Sequence, residues 1–335
     1  MIHYDYFFRK KLSIEAAWSE DWDILLSSWD NSARVKKCYE LATAKRKLWL
    51  IHPEYQIAAE DLPVEECFTI AGDEAEGVQA LIVKLEQMGF DLKTAKLAVD
   101  ITGMLRPHIA LLTRFLQIKG CRRFDAIYAE PTSYNDRENT KFTSGDVIEV
   151  REIIGFEGHN RVSQDREVLI VAPGFDDVLL REIVSHKERA ERIQIFGLPS
   201  LQPDMYQHNV LKALGVDTPL PEETSGIRRF ASAFDPFAMS TELSSIVSGY
   251  RLRSAATRFY LAPLGTKTQM LGAALYYLTE CQHGMLSILY PISSSHIPGP
   301  SVGISRAWLF KIDFDLCDSL ERRSKALHDD QEIAK

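Results

Sequence analysis

Paired cysteines, long apolar runs and an excess of positive charge are all missing from this sequence, and each absence removes a class of protein. The five cysteines, Cys38, Cys67, Cys121, Cys281 and Cys317, are scattered and odd in number, and none forms a C-x-x-C pair. That usage fits a reducing cytoplasm better than a disulfide framework or a structural zinc site. No apolar stretch approaches the ~20 residues a membrane helix needs, so no membrane partner is expected. The opening "MIHYDYFFRKKL" is too polar for a secretory signal, and its aromatic alternation reads as a strand. Against 39 Lys and Arg stand 47 Asp and Glu, a net charge of -8, so direct DNA binding is not expected. The basic runs "FRKK" (8–11), "KRK" (45–47) and "CRRF" (121–124) read as solvated faces, with a phosphate-rich partner as their functional alternative. There is no H-E-x-x-H or H-x-x-x-H spacing, no G-x-S-x-G elbow and no P-loop. His52, His108, His159 and His296 therefore read as polar or buried hydrogen-bonding residues, and neither a metal nor a cofactor is implied.

What is present is an ordinary globular composition, 45% apolar and 26% charged, over 335 residues. That length exceeds what one core usually fills, which favours two domains or two fused halves. Short apolar runs alternate with helical patterns: "WDILLSS", then a helix over 32–43 with Ser32 as N-cap, "KLWLIHPEY", a helix over 75–89 closed by Gly89, "KLAVDITG", a helix from Leu105 and "FDAIYAEP". The alternation restarts at "REVLIVAPGFDD" and continues through "RIQIFGLPSL", "TRFYLAPLGTK", "TQMLGAALYYLTEC" and "MLSILYPISSS". Matched in order, the two series predict a divergent duplication: an α/β fold of two tandem Rossmann-like halves with parallel sheets. The first half spans 1–143, a connector 144–166, the second half 167–317 and a charged tail 318–335.

Ligands of such sheets bind outside the carboxyl ends of the strands. Both "DITGM" and "PLGTKTQM" fall there, each at the start of a helix, where unpaired amides and the dipole suit an anion. Gly103 and Gly265 would let a backbone approach a ligand, Thr102 and Thr266 would offer hydroxyls, and Arg106 and Lys267 positive charge. The loops carrying Ser28 and Asp30, and Gly174 and Asp176, would line the same edges. Asp100 and Glu130, ending neighbouring predicted strands, form a second candidate: a carboxylate pair for acid–base work. The alternative for these two is capping by Asp100 and an arginine partner for Glu130. "SSSHIPGPSVG" is either a lid or a long loop.

The segment "PLGTKTQMLGAALYY" resembles the T-G-G-T-K-x-M-x-x-G/A segment of CARF proteins, the CRISPR-associated Rossmann-fold family, with Gly265, Thr266, Lys267 and Met270 matching. Leu264 stands where that family often has Gly, and "VDITGMLRPHIALL" is a fainter echo. The resemblance implies a pocket between two Rossmann units for a nucleotide, such as a cyclic oligonucleotide, in a bacterial antiviral defence system. It also implies a protein partner, by self-association or as a subunit of a defence complex. No D-x-n-E-x-K nuclease pattern accompanies it. Two alternatives stand beside this reading: a small-molecule hydrolase or transferase using Asp100 and Glu130, and an assembly subunit without activity of its own.

Overall fold

In the computed structural model, the described residues are 2–134, 143, 145–158, 166–202, 205–216, 227–252, 257–281, 284–299 and 301–320. The first half runs β1 (Arg9–Leu12), β2 (Trp18–Trp29), α1 (Ala33–Leu41), β3 (Ala42–Ile51), β4 (Cys67–Thr69), α2 (Glu74–Gln87), β5 (Leu97–Asp100), α3 (Arg106–Ile118) and β6 (Arg123–Glu130). Two further strands follow, β7 (Ser133–Tyr134) and β8 (Val147–Glu152). The second half runs β9 (Arg166–Ala172), α4 (Asp177–His186), β10 (Glu191–Gly197), α5 (Met205–Val216), β11 (Ile227–Ala231), α6 (Pro236–Arg251), β12 (Thr257–Pro263), α7 (Lys267–Glu280) and β13 (Leu286–Ser293). It closes with β14 (Ser301–Val302) and β15 (Arg306–Asp313).

The two halves share one topology. The parallel strands are ordered β4-β3-β2-β5-β6 in one sheet and β11-β10-β9-β12-β13 in the other. In each, the chain starts in the middle, winds to one edge, returns and winds to the other, which is the Rossmann-like pattern with its switch point between the first and fourth strands. The apolar runs that signalled strands are these central ones, buried on both faces: Ile24, Leu25 and Leu26 in β2, and Val168 to Ala172 in β9. β4 and β11 escaped the sequence reading because they are short edge strands with exposed or polar residues. The N-terminal stretch expected as a strand opens instead as a single turn, Tyr4–Tyr6, and becomes β1 only at Arg9. Tyr4 and Phe7 are buried there, with Phe7 5.0 Å from the Phe237 ring.

The sheets do not respect the linear boundaries between the halves. β8, from the connector, runs antiparallel beside β13 in the second sheet. β15, from the end of the second half, runs antiparallel beside β6 in the first, and β1 pairs outside it. Each sheet thus takes an antiparallel strand from outside its own half. The pairing of Ser301 and Val302 with Tyr134 and Ser133 ties the same two connections together. Residues 321–335 of the tail, and His159 of the connector, lie outside the described residues.

Helix starts follow their caps. Ser32 accepts from the Val35 amide at 3.3 Å, Asp73 from those of Ala75 and Glu76, and Asp235 from that of Phe237. Gly89 has φ +88°, the left-handed stop expected after α2. The equivalent helices α3 and α7 pack on each other, and the core of the second half runs continuously into the α2–α3 side of the first sheet. On the opposite face α1 covers a smaller aromatic core in which Tyr39 stacks on Trp49 at 3.8 Å and Trp29 meets Trp49 edge-on. Among the described residues no helix is long and apolar enough to cross a membrane.

Five of the eight cations in the basic runs make ion pairs. Arg9 meets Asp235, Lys10 meets Glu20, Lys45 meets Asp23, Arg46 meets Glu66 and Arg123 meets Asp313.

Candidate ligand-binding cleft

Because α3 and α7 pack together, the switch points of the two sheets face each other across one cleft. It is lined by Asp30 after β2, Met104 to Arg106 after β5, Pro173 to Phe175 after β9 and Gly265 to Lys267 after β12. Aromatic residues close its sides, among them Tyr55, Tyr128, Tyr134 and Phe175, and about 90 Å³ inside remains open to a water-sized solute. His296 and Ile297 of the "SSSHIPGPSVG" loop complete the lining. That loop reaches the first half through the His296 amide, which donates to Glu54 O at 2.8 Å.

Arg106 and Lys267 hold the same position, the first residue of α3 and of α7. Each crosses to the other half. Arg106 donates from Nε and Nη2 to Gly265 O at 2.8 and 2.5 Å, and Lys267 donates from Nζ to Thr102 O. Arg34 of α1 joins them. It is buried, donates from Nη1 to Ala129 O at 2.8 Å, and forms no ion pair among the described residues. Three cations therefore line a cleft in which Asp30 is the one carboxylate among the described lining residues. Asp30 accepts the Ser32 amide at 3.0 Å and its hydroxyl at 2.6 Å. Burial, and then the nearby Arg34 and Arg106 charges, pull the Lys267 ammonium down to about 7, with Asp30 opposing.

Six of the twelve residues singled out in the sequence line the cleft: Asp30, Arg106, Gly174, Gly265, Thr266 and Lys267. The glycines and threonines do work other than that expected of them. A Cβ on Gly103 would lie 2.0 Å from Ser28 O, and one on Gly174 2.3 Å from Leu264 O, so these glycines let the two switch-point turns of each sheet touch. A Cβ on Gly265 would strike Gln269 Oε1 at 2.0 Å. Thr102 Oγ1 is buried and accepts the Ala129 amide at 3.0 Å. Thr266 caps α7 in a reciprocal box with Gln269 and gives its hydroxyl to Ala233 O at 2.5 Å. Ser28 is buried 3.0 Å from His52 Nε2, and Asp176 caps α4 and accepts from Thr143 at 2.6 Å.

Asp100 and Glu130 are not brought together as a catalytic pair. Asp100 is buried, accepts the Ser27 hydroxyl at 2.8 Å and the Thr102 amide at 2.9 Å, and burial pushes its carboxyl up. In the β5–β6 register it faces Ile127, three residues before Glu130. Glu130 is fully buried, accepts from Arg306 at 3.1 and 2.6 Å and from the Trp308 indole, and is likewise pushed up by burial. Both partners arrive on β15, the strand lent by the other half. Neither carboxylate lines the cleft.

His52 and His108 are buried 4.7 Å apart behind the cleft. Burial holds both below the usual imidazole range, His108 at about 4. Among the described residues no cluster of His, Cys, Asp and Glu could hold a metal ion.

Arg34 was not singled out in the sequence, because nothing in "NSARVKK" sets it apart from the other cations of that helix. The four tyrosines, Tyr55, Tyr128, Tyr134 and Tyr290, come from four separate segments, and only the fold gathers them.

No family model matches this sequence, and no curated protein matches it. Among solved structures, one that matches is CobK precorrin-6A reductase, at 11% identity over 83% of this chain and 91% of that one, with a TM-score of 0.22. At that score the likeness carries no argument about either fold or function.

Proposed function

We propose that this protein binds a nucleotide-type signal in the cleft between its halves. The observation that carries the reading is positive charge that meets no ion-pair partner among the described residues: Arg34 and Lys267, one from each half, line a cleft beside Arg106, with Asp30 as the one carboxylate of its described lining. A buried cation without a counter-ion costs several kcal/mol, and an anionic ligand removes that cost. Phosphate is the anion that suits two guanidinium groups and an ammonium at the starts of three helices. The aromatic sides of the cleft offer faces on which a base can stack. The likeness of the 263–277 segment to CARF proteins supports a signal of the kind used in antiviral defence, a cyclic oligonucleotide included. The enzyme reading has less support, since Asp100 and Glu130 are committed to internal partners outside the cleft.

A thermal-shift screen with cyclic di-, tri- and tetranucleotides and with linear mononucleotides tests the proposal. A ligand present at 100 times its Kd stabilises the native state by about 2.7 kcal/mol. The proposal expects such a shift with at least one of them and its loss in Lys267→Ala. No shift with any member of the panel would overturn it.

A further inference from the structure

We infer that the second half carries a base-recognition subsite, built from Gln269 and Asn209, which the first half does not duplicate. The inference rests on the nucleotide reading above. Among the residues lining the cleft, three side-chain atoms are buried without a hydrogen-bond partner: Arg34 Nε, Gln269 Nε2 and Asn209 Oδ1. Arg34 belongs with the phosphate-binding cations. The other two are neutral, one a donor and one an acceptor, and both come from the second half, on α7 and α5. A buried polar atom left unpaired costs about 1–3 kcal/mol, so two on residues that line one cleft call for a partner.

The orientation of Gln269 is fixed by the helix cap. Its Oε1 accepts the Thr266 amide at 3.0 Å, which leaves Nε2 as the open end. Gln269 is 2% exposed, so this end is held rather than solvated. Nε2 lies beside Gly197, another cleft residue, where even an added Cβ would stay 3.8 Å away. No side chain of Gly197 therefore intervenes between that amide and the cleft. Phe175 lies in the same lining, 6.0 Å from the Tyr134 ring, and Met205 flanks it on α5. An apolar and aromatic wall with one fixed donor and one acceptor is what a flat heterocycle with its own acceptor and donor requires.

The first half offers no equivalent. Gln269 is the third residue of α7, and the third residue of α3 is His108. His108 is buried outside the lining, 4.7 Å from His52, and burial holds it neutral at ordinary pH. Arg106 and Lys267 are thus matched across the halves, whereas Arg34 belongs to the first half alone and the neutral readers to the second. Such a site binds phosphate near its centre and reads a base on one side.

Binding of the four nucleoside 5′-monophosphates and of ribose 5-phosphate, measured by titration calorimetry on the full chain, tests this. At least one nucleotide is expected to bind about tenfold or more tighter than ribose 5-phosphate. Gln269→Glu keeps the oxygen that caps α7 and removes the donor, and Asn209→Leu removes the acceptor. Each is expected to cut the nucleotide-to-sugar-phosphate preference by about tenfold. The preference is the readout because the charge added in Gln269→Glu weakens every phosphate compound alike. Equal binding of nucleotides and ribose 5-phosphate in the parent protein, or a preference unchanged in both variants, would overturn the base subsite while leaving the phosphate site standing. Failure of every compound, ribose 5-phosphate included, would overturn both.

Discussion

Lys267, the first residue of α7, gives its ammonium to the backbone carbonyl of Thr102 in the opposite half. A carbonyl dipole is a poor substitute for a carboxylate, and the ammonium is held down to about 7 by burial. Arg106 makes the reciprocal reach to Gly265 O. The contact joins the two halves and leaves the ammonium without an ion pair among the described residues.

Replacing Lys267 by Met is expected to separate stability from binding. The folded protein holds this group below its usual value of about 10.4, so the unfolded chain binds the proton more readily. The resulting penalty grows as pH falls from about 10 towards 7 and is full below 7. Lys267→Met should therefore raise stability by about 1–3 kcal/mol at pH 6 and by less at pH 9, while abolishing ligand-induced stabilisation. Denaturant unfolding at both pH values checks this.

Ligand affinity should fall as pH rises through 7. The free protein loses the Lys267 proton there, and an anion must restore it to bind. With a phosphodiester ligand, whose charge is constant in this range, the affinity should drop by up to about tenfold per pH unit above 7. Lys267→Arg, which stays protonated, should flatten the profile. Calorimetry between pH 6 and 9 decides it.

Arg306→Met should be among the most damaging surface-proximal substitutions. It leaves Glu130, fully buried, without its ion pair. The expected cost is about 3 kcal/mol at neutral pH. Burial already pushes the Glu130 carboxyl up, so it protonates early as pH falls and the cost should shrink in acid. Equal destabilisation at pH 7 and pH 4.5 would count against a charge effect.

The exchanged strands predict one cooperative unit. Residues 1–143 alone lack β15, which covers the β6 edge and supplies Arg306 and Trp308 to Glu130. Expressed singly, this fragment should be unfolded by circular dichroism. The full chain should unfold in one transition whose fluorescence and circular dichroism midpoints coincide.

Much of this fold was readable from local signals. Apolar runs marked the central strands, Ser32 and Gly89 marked helix ends, and the repeated order of loops marked the duplication, because periodicity and turn chemistry act over a few residues. The same signals placed Gly103, Gly265, Arg106 and Lys267 at the carboxyl edges of the strands. They had no means of assigning partners. β15 leaves its own half to pair with β6, Glu130 receives its arginine from there, and Gly103 yields to Ser28 O rather than to a ligand. Arg34, not singled out in the sequence, is buried, gives Nη1 to Ala129 O and makes no ion pair among the described residues. Local sequence sets which residues can reach a sheet edge. Which of them take internal partners, and which line the cleft, follows from through-space packing between segments more than a hundred residues apart.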